Sequence, residues 1–174
     1  MNKIICFSPN TQIYLDDYRT KSICDIGPKD NVFSFNEKCN KVESSRVICK
    51  VSDIHEEYMK IKFRESGLVS TRDHPIWVLD KGWCSFDNES SYRNYGIAVK
   101  NLKEGDKCLR INEKGSFTYS QIDEIKMVRC SMEMFTISSE RNNSFFANGY
   151  LVHDENLFGL IRAKKIGNSE VHFA

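Results

Sequence analysis

Short runs of β-branched and aromatic residues, many alternating with polar ones, recur along the chain between turns rich in Gly, Asn, Asp and Lys. Residues 12–15, 31–35, 46–51, 58–63, 76–79 and 135–138 each read as a strand. No segment keeps an apolar stripe at i, i+3, i+4, i+7 over about 12 residues, so helix is expected to be scarce. Single turns near residues 26–30 and 99–103 are the best helical candidates. The polar stretch 87–95 reads as a surface loop and as the most mobile part of the chain.

A weak internal repeat organises these strands. Ile26-Gly27-Pro28-Lys29-Asp30-Asn31-Val32 resembles Leu102-Lys103-Glu104-Gly105-Asp106-Lys107-Cys108, an apolar residue and a Gly-containing turn closing on Asp before a strand. Downstream, Val51-Ser52-Asp53-Ile54 and the run from Met59 parallel Gln121-Ile122-Asp123-Glu124-Ile125 and the run from Met134. Two such groups, 76 residues apart, imply a pseudo-twofold, all-β structure.

Length and charge narrow the classes. At 174 residues the chain suits one domain with a substantial core and short flanks. Twenty-five Lys and Arg against 24 Asp and Glu give a net charge of +1, which creates no field to gather nucleic acid or an acidic membrane. No apolar run approaches the roughly 20 residues of a membrane span, and Met1-Asn2-Lys3-Ile4-Ile5 lacks the pattern of a secretory signal. Seven cysteines form an odd set without C-x-x-C spacing, and histidines 55, 74, 153 and 172 do not cluster. Free thiols, a reducing cytoplasmic location, a monomer, no metal and no cofactor are the expectations.

Four local patterns carry the chemistry. Cys6-Phe7-Ser8-Pro9-Asn10-Thr11 opens the chain's first strand, and Thr71-Arg72-Asp73-His74-Pro75 sets a hydroxyl and an imidazole three residues apart before another. Leu102-Lys103-Glu104-Gly105-Asp106 stands between them and Phe145-Phe146-Ala147-Asn148-Gly149-Tyr150-Leu151-Val152-His153-Asp154. Together and in this order they resemble the blocks of the Hint superfamily, the self-processing domains of inteins and hedgehog C-termini. Lys81-Gly82-Trp83 after His74-Pro75, and the shortness of the chain, look most like the bacterial-intein-like members. The spacing between the histidine blocks leaves no room for an inserted endonuclease.

That resemblance implies a pseudo-twofold, horseshoe-like β-fold with a flank at 1–5, a Hint domain at 6–154 and a second flank at 155–174. It also implies a reaction: Cys6 attacks the Ile5 carbonyl to give a thioester, which water or a small thiol then opens. His74, with an ordinary imidazole pKa near 6.5, is expected to protonate the departing nitrogen at neutral pH. Thr71 would hold either the oxyanion or the scissile amide. The β-branched Ile5 is expected to crowd its carbonyl and slow the step.

At the far end the family's terminal Asn is replaced by Asp154, followed by Glu155, which cannot accept an acyl group. The late block departs as well, with Thr136 and Asn143 where the family carries Asp and His, leaving His153 as the lone proton donor there. Upstream cleavage is therefore expected to outrun cleavage at Asp154–Glu155, with little splicing. The substrates would be the chain's own flanks, without nucleic acid or membrane.

Each piece also has a plainer reading. Cys6 alone is a small buried residue, His74 a capped surface histidine, Thr71 a strand-edge residue, and 145–152 a hairpin signal in its own right. Trp77, Trp83, Phe145 and Phe146 read as core. Three other functions compete: a Hint module that has lost its chemistry and serves as a binding or spacer domain, a hedgehog-like acyl transferase, and a cysteine protease acting in trans. The tail after residue 154 looks too short for sterol recognition, and a protease leaves the twofold unexplained.

Overall fold

The computed structural model describes residues 4–154, and every structural statement refers to these. Twelve strands form one sheet, in which nine follow the spatial order β2-β1-β11-β12-β6-β9-β10-β4-β3 while β5 pairs with β4, β7 with β6, and β8 with β7. They are β1 (Gln12–Tyr14), β2 (Thr20–Ser22), β3 (Asn31–Asn36), β4 (Lys41–Phe63), β5 (Gly67–Ser70), β6 (Ile76–Val78), β7 (Gly82–Ser85), β8 (Lys100–Asn101), β9 (Lys107–Ile111), β10 (Phe117–Ser139), β11 (Ser144–Ala147) and β12 (Tyr150–His153). Among the described residues one α-helix, α1 (Asn88–Tyr95), lies between β7 and β8, and one 3-10 turn, Ile23–Asp25, follows β2. The expected all-β class is what the chain adopts.

Two 23-residue strands, β4 and β10, pair antiparallel over most of their length. The sequence marked only pieces of each, 46–51 and 58–63 in β4 and 135–138 in β10. The polar stretch between the two pieces of β4 carries no strand signal of its own. It is held extended because all of its residues but Glu56 face a partner on β10, as in Ser52↔Phe135 and Asp53↔Met134, and a backbone ladder needs no apolar side chains. Irregularities, one of them between Arg129 and Met132, adjust the register.

The repeat is visible in detail. β4 and β10 are equal in length and start 76 residues apart, and the same loop precedes each half. Asp30 Oδ2 accepts from the Gly27 amide at 2.8 Å and from Lys21 Nζ at 2.8 Å. Asp106 Oδ2 accepts from the Lys103 amide at 3.0 Å, and its carboxylate takes Lys81 Nζ at 2.6 Å. In both halves an aspartate closes its own turn and ties a lysine from the preceding hairpin, so the repeated Asp is a structural residue.

The segment 87–95 corrects the expected loop, since α1 occupies it. Asp87 caps the helix by accepting from the Ser90 amide at 2.9 Å, and Gly96 ends it in the left-handed region at φ 70°. Tertiary contact completes it: Ser91 is fully buried and its hydroxyl donates to the Asp73 carbonyl at 2.7 Å. Phe145 and Phe146 are fully buried. Trp77 and Trp83, by contrast, are half-buried at the rim of the second apolar cluster, with Trp83 Nε1 donating to Glu37 at 2.9 Å. An indole N–H needs a polar partner, which draws the ring toward the surface.

Candidate active site at the chain junctions

The chain enters the fold as a strand wedged between β10 and β5. Phe7 exchanges both backbone hydrogen bonds with Phe135, at 2.7 and 2.8 Å, and bridges Ser70 on its other side. The Thr71 amide donates to the Cys6 carbonyl at 2.9 Å, while the Cys6 amide donates to Thr71 Oγ1 at 3.2 Å. Ile5 and Cys6 are fully buried. The nitrogen that would leave when the Ile5–Cys6 bond breaks is thus held by the threonine hydroxyl. Of the two tasks expected of Thr71, contact with the scissile amide is the one visible in the fold.

His74 follows from the same turn, its amide donating to the Thr71 carbonyl at 3.3 Å. Its ring lies 4.0 Å from that of Phe7, centroid to centroid, which brings the imidazole beside the residue next to Cys6. Nε2 lies 3.0 Å from the His153 carbonyl oxygen; since a carbonyl only accepts, Nε2 carries the proton. Nδ1 is then a bare lone pair, buried and without a hydrogen-bond partner among the described residues. Burial pushes this imidazole down from its ordinary value to about 3. That differs from the expectation of an acid poised near 6.5: the resting histidine is neutral, and burial disfavours its protonated form.

The second junction is built on β12. His153 Nδ1 donates to the Asp154 carbonyl at 2.6 Å, its ring meets Trp83 edge-on at 5.0 Å, and burial lowers its pKa. Asp154 Oδ2 accepts from the Ser139 amide at 2.6 Å and the Ser139 hydroxyl at 3.0 Å, whereas Oδ1 is buried without a hydrogen-bond partner. Burial raises this carboxyl to about 7, against the lowering by Ser139. The Asp154 amide donates to the Asn143 carbonyl at 2.7 Å. Glu155 lies outside the described residues.

The structure therefore brings Cys6 to Thr71, and His74 to His153. It ties Asp154 to Ser139 and Asn143. Thr136, in the late block, is fully buried, and its hydroxyl has no hydrogen-bond partner among the described residues. Phe7 is marked in the sequence only as the neighbour of Cys6, and nothing in the residue order points Ser139 at Asp154. A polar cleft of about 310 Å³, lined by His55, Glu57, Arg72, Asp73, Ser90 and Asn94, reaches Thr71. None of the seven cysteines is in a disulfide, and the described residues hold no cluster of metal-ligating side chains. No helix among them is long and apolar enough to cross a membrane.

Comparisons with known proteins give two kinds of likeness. Residues 7–113 match the family model of the Ataxin-1 and HBP1 module (AXH). That stretch contains Thr71 and His74 but neither Cys6 nor the His153-Asp154 pair, so both junctions fall outside it. No curated protein matches the chain significantly. Among solved structures, the Ssp DnaB mini-intein variant M86 superposes with a TM-score of 0.72 at 19% identity, covering 89% of this chain and 96% of its own. The bacterial intein-like domain from Clostridium thermocellum gives 0.70 at 18% identity, over 87% of this chain and all of that one. A DnaB intein from Synechocystis sp. PCC 6803 gives 0.70 at 19% identity, with 87% and 99% covered. At such identities the likeness establishes the fold, which is that of a Hint-type domain.

Proposed function

The chain belongs to the AXH family and is built on the Hint fold, and from that premise we propose that it cleaves its own backbone before Cys6 through a thioester. The observation that carries this reading is the hydrogen bond from the Cys6 amide to Thr71 Oγ1, which singles out one buried peptide nitrogen for a positioned hydroxyl. His74 Nδ1 takes the thiol proton, and the Cys6 sulfur attacks the Ile5 carbonyl carbon. The Ile5–Cys6 C–N bond breaks, the proton passes from imidazole to the Cys6 nitrogen, and the acyl group rests on sulfur. Thr71 keeps that nitrogen in line throughout. The polar cleft ending at Thr71 offers a way in for water or a small thiol, which opens the thioester and releases the upstream peptide.

Cleavage at Asp154–Glu155 is the slower companion. A carboxyl oxygen of Asp154 attacks its own backbone carbonyl carbon, closing a cyclic anhydride. The bond to Glu155 breaks and the carboxyl proton goes to the Glu155 nitrogen; water then opens the anhydride. The imidazole of His153, donating to that same carbonyl, supports such a step. Without a nucleophile at 155 the flanks are not joined. The acceptors are water or thiols, the partners are the chain's own flanks, and the protein acts as a cytoplasmic monomer.

A second reading keeps the fold as a binding or spacer module without chemistry. It is favoured by the matched sequence family, described as a module of Ataxin-1 and HBP1, and by Thr136 and Asn143 in the late block. Intact mass of the chain held between two tagged proteins decides between them. Treatment with dithiothreitol or hydroxylamine should release the upstream tag from wild type and not from Cys6→Ala. Complete inertness of wild type would leave the module, and a joined-flank product would contradict the predicted lack of splicing.

A further inference from the structure

Cys6 is surrounded on one side by groups that play no part in moving protons. Its side chain shares an apolar cluster with Ile4, Tyr58 and Met134, against which Cys49, Val51, Val69, Val128 and Met132 pack half-buried. Met134 is fully buried, and Ile4 and Tyr58 are 5% and 6% exposed. Along an extended chain residues 4 and 6 point to one face and residue 5 to the other. The side chain seated against Tyr58 and Met134 therefore belongs to the segment that would leave with the upstream product, two residues before the scissile bond.

We propose that Tyr58 and Met134 form a specificity subsite for the upstream polypeptide, selecting a branched aliphatic side chain at position 4, and that this seating fixes the Ile5 carbonyl against the Cys6 sulfur. The inference rests on the self-cleavage reading and names the substrate class for it. Three features support it. The chain below the bond is anchored on both sides, through Phe7 to Phe135 and through Cys6 to Thr71, whereas above the bond the apolar seat is the anchor seen. The ring and thioether walls offer shape and no charge, so a carboxylate or ammonium at position 4 would be buried unpaired. Binding energy far from the reacting carbon accelerates a step when it holds the reactants in attacking geometry, and a shift of about 1 Å is enough to lose most of the rate. Tyr58 and Met134 act through Ile4 and are positioning residues.

The test uses the full chain behind an upstream reporter domain and follows hydroxylamine release at Cys6. Ile4→Val should cleave within about fourfold of wild type, Ile4→Ala about thirtyfold slower, and Ile4→Asp at least about a hundredfold slower, following the apolar area each removes. The Ile-to-Ala rate ratio is then read in Met134→Ala and Tyr58→Leu backgrounds that still unfold cooperatively, where it should collapse toward unity. A purely structural role would slow both members of each pair and leave the ratio intact. Equal rates across the position 4 series overturn the subsite, as does an undiminished ratio in either background. If neither background folds, the position 4 series decides alone. A chain that is inert in every form, with Cys6→Ala indistinguishable from wild type, instead sinks self-cleavage and this subsite with it.

Discussion

The two junctions of the domain are chemically unlike although one hydrogen bond links them. At the first, a threonine hydroxyl holds the Cys6 amide, and an imidazole kept neutral by burial packs on the neighbouring Phe7 ring. At the second, a carboxyl raised to about 7 sits beside its own backbone carbonyl, which accepts from His153. His74 reaches across by donating to the His153 carbonyl. The imidazole of the first junction is thus neutral around pH 7, while the second junction carries a titrating carboxyl. One is set by geometry and the other by pH.

Removing the thiol should separate them most sharply. Cys6→Ala is expected to abolish upstream release while any cleavage at Asp154–Glu155 continues, as read by intact mass; loss of both would mean that the junctions work as one. His74→Ala comes next, with upstream release falling by about a hundred- to ten-thousandfold, the usual worth of a positioned general base. Because His74 also holds the His153 carbonyl, the downstream rate should fall too, by a smaller factor. A downstream rate untouched by this variant would show the bridge to be idle. Thr71→Val should cost the upstream step about ten- to a hundredfold, the loss of one buried hydrogen bond to the leaving nitrogen, with Thr71→Ser restoring most of it.

Acidity should divide the junctions more gently. As pH falls through about 7 the Asp154 carboxyl gains the proton it must hand to the Glu155 nitrogen. Downstream cleavage is therefore expected to rise on acidification, in a profile that upstream cleavage does not share. Stability carries the same signature with two signs. Asp154 binds its proton more tightly folded than unfolded, about 7 against 3.8, so its favourable contribution is full below 3.8 and lost as pH rises to about 7. His74 binds its proton less tightly when folded, about 3 against 6.5, so its contribution is full above 6.5 and lost as pH falls toward 3. Thermal melts across this range should show Asp154→Asn steepening the gain with rising pH and His74→Gln reversing it; parallel curves for all three proteins would refute both assignments.

The smallest effect concerns the two halves of the scaffold. Asp106 is the more buried of the repeated aspartates, with a side chain 7% exposed against 18% for Asp30. Asp106→Ala should destabilise by roughly 2 kcal/mol and Asp30→Ala by about half of that, since each loses a turn-closing bond and a partly screened ion pair. Denaturant unfolding measures the difference, and equal losses would argue that burial does not distinguish the halves.

The residue order by itself determined the β-class, the twofold and the hairpin at residues 145–152. Those depend on local alternation, on turn residues such as Asn148-Gly149, and on self-similarity, all of which are written along the chain. It also marked Cys6, Thr71 and His74 as a set, although not which atom would touch which. Tertiary structure alone decided that β4 and β10 run unbroken, because a polar stretch stays extended only when a partner strand supplies its ladder. It formed α1 by burying Ser91 against Asp73 where no apolar stripe existed. It also removed the charge from His74 and placed a protonatable carboxyl at Asp154, since a pKa is fixed by desolvation and neighbours that are distant in sequence. Spacing names the groups; burial decides which of them hold a proton.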